Sequence, residues 1–198
     1  LTDPTTGGVS ASYAMIGEIV DLDVTIPAAG RNTAQARVVG RVGDREILTV
    51  NAALGERELD RTGQWTEMPD VPAPDDCEIR ESTGGGGSSI MSRIESRLAV
   101  GQQWDQLNGE PAEDGRAAMW VRLRDVDPSA ASLAVLGDYV PWGISQAFGS
   151  WTRSNSLDNT LRVIQVVPTD WVLLDVRIQA VHHGFGHGDV YQWSSDGT

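Results

Sequence analysis

Apolar positions recur along this chain at two periods, in blocks that alternate. After Thr5-Thr6-Gly7-Gly8, a cap-like start, Val9, Tyr13, Ile16 and Val20 fall on one face of a predicted helix. The period then drops to two. Leu22, Val24 and Ile26 alternate with polar residues over Asp21 to Ile26, as do Ala34, Ala36, Val38, Gly40 and Val42 over Thr33 to Val42. Gly43-Asp44 then turns the chain into Glu46 to Leu54, the expected hairpin partner.

Residues 56–89 lose both periods. They carry Pro69, Pro72, Pro74, a run of acids and Gly84-Gly85-Gly86-Gly87-Ser88-Ser89, and read as a connector. The glycine tract lacks the Lys-Ser/Thr ending of a phosphate loop. Strand-like Ile90 to Val100 and Ala117 to Arg124 follow, then a predicted helix with Asp127 as N-cap and Pro128 in first position. Leu133, Leu136 and Val140 form its buried stripe, and Pro141 is expected to end or kink it. Thr160 to Val167, Trp171 to Val181 and Asp189 to Trp193 read as three more strands. A similar order of elements thus occurs twice, which points to duplicated α+β units: 1–55, a connector over 56–89, and 90–198.

Composition narrows the function classes. A chain of 198 residues fits one large domain or two small ones. No apolar run reaches the ~18 residues of a membrane span, and Leu1-Thr2-Asp3-Pro4 does not open a signal peptide. The one cysteine, Cys77, allows no internal disulfide and no Cys-based metal cluster, so a cytoplasmic location is expected. A net charge of −13 argues against nucleic acid or an anionic membrane as partner, since long-range repulsion opposes both. All 15 basic residues are arginines, which reflects coding bias more than function, although Arg is also the better fork for a phosphate.

The residue with the clearest chemical promise is Asp138. It interrupts the apolar run Leu133-Ala134-Val135-Leu136-Gly137-Asp138-Tyr139-Val140, where a carboxylate costs several kcal/mol unless polar groups meet it. Either this face is solvated or salt-bridged, or the acid does chemistry. Apolar surroundings would raise its pKa and strengthen it as a base. Asn155-Ser156-Leu157-Asp158-Asn159-Thr160 follows, ahead of a strand-like run. Ser156 reads as a water-positioning hydroxyl or as a covalent nucleophile with Asp158 and one of His182, His183 or His187. No Gly-x-Ser-x-Gly elbow supports the covalent version. Asp158 is expected to fix the loop that presents Ser156. His182 to His187 resembles a metal loop, but without a neighbouring carboxylate or cysteine at ligand spacing it reads as a strand connection. Gly7 and Gly8 either present free backbone N–H groups to a substrate oxygen or simply start a helix.

Trp120-Val121-Arg122-Leu123-Arg124, Gly137-Asp138-Tyr139-Val140-Pro141, Ser156-Leu157-Asp158 and Asp170-Trp171-Val172-Leu173-Leu174 occur in an order that resembles the acyl-CoA thioesterase II family of double hotdog proteins. The likeness is strongest over 116–198 and weaker over 5–55. It implies two long helices, each wrapped by antiparallel β-sheet, and hydrolysis of fatty acyl-CoA to free acid and CoA without cofactor, metal or covalent intermediate. The family's site combines an Asp on the second helix, a Thr or Ser two residues before the Asp of the next motif, and a Gln near the C-terminus. Asp138 and Ser156 match the first two, as catalytic residues, with Gly7 and Gly8 on the substrate. The Gln has no counterpart before Thr198. Near Val20-Asp21 the family also places further helix and a strand that do not occur here. The implied partner is acyl-CoA, and a homo-oligomer is compatible with the resemblance. The rival readings are a non-catalytic acyl-CoA-binding member of the fold and a hotdog dehydratase, which needs an Asp and His pair.

Overall fold

The computed structural model describes residues 17–58, 61–80 and 90–198. The chain divides into two compact units, Leu1–Gly63 and Gln64–Thr198. In the first, the three expected strands form an antiparallel meander of β1 (Asp21–Ala29), β2 (Thr33–Val42) and β3 (Arg45–Gly55). The register sets Val24 against Val38 and Val38 against Val50, so the alternation read from the sequence collects apolar side chains on one face. Of the helix expected over Val9 to Val20, only Gly17 to Val20 fall among the described residues, and they are not helical.

The second unit is built on a five-stranded antiparallel sheet in the order β4 (Glu78–Ile79), β5 (Ile94–Val100), β6 (Arg116–Leu123), β7 (Val172–His182) and β8 (Phe185–Ser194). Two consecutive helices, α1 (Ala130–Leu136) and α2 (Val140–Phe148), lie against one face of it. Ala117, Met119 and Val121 of β6 alternate toward them and are joined by Val172, Leu174 and Val176 of β7. Met119, Val121, Leu174 and Val176 are inaccessible to solvent, and each contributes about 1.5–3 kcal/mol by leaving water. The opposite face holds Ala118, Trp120, Leu173 and Trp193, covered by part of the segment read as connector. Met68, Val71 and Cys77 pack there, and Trp120 Nε1 donates to the Pro72 carbonyl at 2.8 Å.

The helix differs from expectation in three ways. Its N-cap is Ser129, not Asp127. Ser129 Oγ accepts from the Ser132 N–H while Ser132 Oγ accepts from the Ser129 N–H, a reciprocal capping box that outcompetes a start at Pro128. Instead of one long helix, two short ones flank a break at Gly137-Asp138-Tyr139. Pro141 does not end a helix but sits in the first turn of α2, where its missing N–H leaves no bond unmade. Gly143 lets α2 approach the sheet, since a Cβ there would stand 2.5 Å from Val176 Cγ1. Gly149, at φ 62, closes α2 in the left-handed conformation.

Thr160 to Val167, expected as a strand, pairs with no described strand, and Leu161, Val163, Ile164 and Val166 are exposed. β-branched content makes a segment fit for a sheet, but only an available edge makes it a strand. No helix among the described residues is long and apolar enough to cross a membrane.

Candidate active site

Asp138 stands in the break between α1 and α2, and the break decides its exposure. Its neighbour Tyr139 is buried, with its ring edge-on to Trp142 at 6.4 Å between centroids. Burial pushes the Tyr139 phenol up, against the opposing influence of Arg80, so it stays neutral. With Tyr139 turned inward, Asp138 is turned outward and is exposed. That corrects the expectation that the carboxylate lies on a buried helical face: the apolar run belongs to two helices, and the acid falls between them.

Ser156 is brought to Asp138 by a loop that folds back over α2. The Ser145 hydroxyl accepts from the Thr152 N–H at 3.1 Å, and the Ser145 carbonyl accepts from the Ser150 N–H at 3.1 Å. The Gly109 N–H donates to the Gly149 carbonyl at 2.8 Å, which fixes the same turn from the other side. Beyond this anchored turn the chain reaches Ser156, whose Oγ donates directly to Asp138 Oδ1. The two side chains therefore meet without a bridging water. Among the described residues no other donor reaches the Asp138 carboxylate, which leaves Oδ2 free for a water or a substrate proton.

The pair lies in an open surface depression of about 500 Å³. Asp138, Ser156, Asp158 and Asn159 supply its polar side, while Ile90, Ala134, Val135 and Leu157 supply an apolar wall. Ala134 and Val135 lie near the end of α1, just ahead of the break that presents Asp138, so closeness in sequence was the signal for this part of the lining. Asn159 and Ile90 carried no such signal.

Asp158 was expected to fix the loop that presents Ser156. It lines the depression instead, and among the described residues it makes no hydrogen bond or ion pair. Gly7 and Gly8 lie outside the described residues. His182, His183 and His187 belong to the β7–β8 hairpin, whose turn His183-Gly184 has φ of 49 and 80. No histidine among the described residues hydrogen-bonds to Asp138 or Ser156, so the Asp and His pair of a dehydratase is not formed by them.

A family model described as the acyl-CoA thioesterase C-terminal domain matches residues 74–198. Among solved structures, a proposed thioesterase from Novosphingobium aromaticivorans is 34% identical, with 91% of this chain and 69% of that chain covered and a TM-score of 0.79. A protein of hot dog fold from Alicyclobacillus acidocaldarius is 18% identical, covering 89% and 67% of the two chains, with a TM-score of 0.66. The acyl-CoA thioesterase II TesB2 from Mycobacterium marinum is 18% identical, covering 89% and 68%, with a TM-score of 0.61. The last two likenesses speak to the fold alone, which the description of the Alicyclobacillus protein gives as the hot dog fold. No curated protein matches the sequence.

Proposed function

Because the chain belongs to the acyl-CoA thioesterase II family, and so is a thioester hydrolase, we propose that it cleaves fatty acyl-CoA to free acid and CoA with Asp138 as general base and Ser156 as water-positioning group. The observation that carries this reading is the direct bond between Ser156 and Asp138 in an open depression lined by both polar and apolar side chains.

The chemistry follows from the donors and acceptors present. Ser156 spends its one proton on Asp138, so its oxygen keeps lone pairs to accept a hydrogen bond from water. A water held between that oxygen and Asp138 Oδ2 is oriented toward a thioester carbonyl lying over the depression. As the water oxygen bonds to the carbonyl carbon, its proton passes to Asp138. The tetrahedral adduct then expels the thiolate with the C–S electron pair, and the thiolate takes up a proton to become free CoA. Ile90, Ala134, Val135 and Leu157 offer the apolar surface an acyl chain requires. The reading uses no covalent acyl-serine: Ser156 holds the water, and the proton that Asp138 takes comes from that water.

We read the N-terminal sheet and the 90–198 unit as the two halves of a double hotdog, and the protein as cytoplasmic, where acyl-CoA is met. The test is release of free thiol from acyl-CoAs of graded chain length, followed with a thiol reagent. Turnover that rises with chain length above the shortest esters supports the proposal. Binding of acyl-CoA without thiol release would assign the protein to the non-catalytic alternative.

A further inference from the structure

The break that presents Asp138 is held by a residue far along the chain. Gln192 lies on β8 opposite Leu174, on the face of the sheet that meets the helices. Its Nε2 donates to the Leu133 carbonyl at 3.1 Å. In an uninterrupted α-helix that carbonyl would accept from the N–H of residue 137, four positions on. Here the Gly137 N–H donates to the Ala134 carbonyl at 3.3 Å, which tightens the last turn and leaves the Leu133 carbonyl without its helical donor. The Gln192 amide fills that place. It is also packed against the residue next to the acid, since a Cβ on Gly137 would stand 3.3 Å from Gln192 Nε2.

The other end of the same side chain identifies what position 192 is for. Gln192 Oε1 is buried and has no partner among the described residues. A buried acceptor left unpaired is unfavourable, and an apolar side chain of equal length would avoid it. What the position uses is therefore the N–H donor.

We propose that Gln192 is a positioning residue of the hydrolytic site: its amide caps the Leu133 carbonyl, ends α1 at Leu136, and so sets the break from which Asp138 reaches Ser156. The inference rests on the reading of Asp138 as the base, but its placement can be tested apart from turnover.

Gln192→Met keeps length and bulk and removes the donor. Gln192→Glu keeps the shape but donates only while protonated. In Gln192→Met, kcat for acyl-CoA hydrolysis should fall about 10- to 100-fold with KM little changed, the signature of a displaced catalytic group, and its ratio to the wild-type kcat should not vary with pH. In Gln192→Glu that ratio should fall as pH rises through the ionisation of the new carboxyl, because a carboxylate cannot donate to a carbonyl. Hydrogen exchange at the Gly137 amide, read in the same proteins without substrate, should slow in Gln192→Met, because the freed Leu133 carbonyl takes the Gly137 N–H in a helical i→i−4 bond. Wild-type kcat in folded Gln192→Met, or unchanged exchange at Gly137, overturns the inference. If the wild-type protein releases no thiol at all, the functional reading is what has failed, and exchange at Gly137 decides the placement of Gln192 alone.

Discussion

Replacing Asp175 by Asn is expected to destabilise the C-terminal unit by about 2–3 kcal/mol without touching the Asp138–Ser156 pair. Asp175 lies on β7 on the face away from the helices and is inaccessible to solvent. Its Oδ1 accepts from Arg116 Nε at 2.9 Å, and its Oδ2 accepts from Arg177 Nε and Nη2 at 3.0 and 2.7 Å. Arg116 and Arg177 are directly opposite each other in the β6–β7 register, so the carboxylate also separates two like charges. Removing one member of a fully buried ion pair costs about 3–5 kcal/mol. The two guanidinium side chains are 33% and 48% exposed and recover hydration when the carboxylate is lost, which reduces that figure. For a chain of this size each kcal/mol moves Tm by about 2–4 °C, so a fall of roughly 4–12 °C is expected by calorimetry, with a matching drop in the urea midpoint. A shift below about 1 °C would show that the arginines do not depend on Asp175, and that the burial argument is wrong.

Two further variants probe the site and the sheet. Ser156→Ala should lower kcat by roughly 10- to 1,000-fold with KM little changed, as expected for one lost transition-state contact; an acyl group trapped on Ser156 by mass spectrometry would establish the covalent route instead. Arg122 donates to Glu95 through Nε and Nη2 at 3.0 and 2.8 Å, and this pairing holds the Glu95 carboxyl below its ordinary range. A depressed folded-state pKa means the contribution is complete above the ordinary value of about 4.3 and is lost as pH falls through the lower folded value. Glu95→Gln should therefore lower stability by about 1 kcal/mol or less at neutral pH, with the difference from wild type vanishing in acid; a difference that persists at the acid end contradicts the assignment.

The strands with strict alternation were legible because the period of two survives whatever packs against it. Val24, Val38 and Val50 share a face for the reason visible in the sequence. The helix was harder. The run from Leu133 to Val140 has helical spacing throughout, yet a side chain from β8 takes the Leu133 carbonyl and splits it, and nothing local announces Gln192. Of the two readings that an acid inside an apolar run allows, solvated or buried against polar partners, Asp138 takes the first. Asp175, within Val172-Leu173-Leu174-Asp175-Val176, is the one that is buried, and its partner Arg177 stands two residues on, in plain view. Asp138 is exposed, and its meeting with Ser156 follows from a loop anchored by Ser145 and Gly149. Its proposed role rests on the family resemblance and on the bond to Ser156, and not on burial. Thr160 to Val167 failed as a strand because propensity cannot supply a pairing edge.

The central claim is that Asp138 removes the proton from the attacking water. Its most direct test is thiol release from a fatty acyl-CoA by purified Asp138→Asn beside wild type, with circular dichroism to establish that both are folded. Asn keeps the shape and can still accept a hydrogen bond from Ser156, but it cannot take up the proton. The account predicts that thiol release by the variant falls to the uncatalysed background while acyl-CoA still binds; wild-type turnover in a folded Asp138→Asn protein would contradict it.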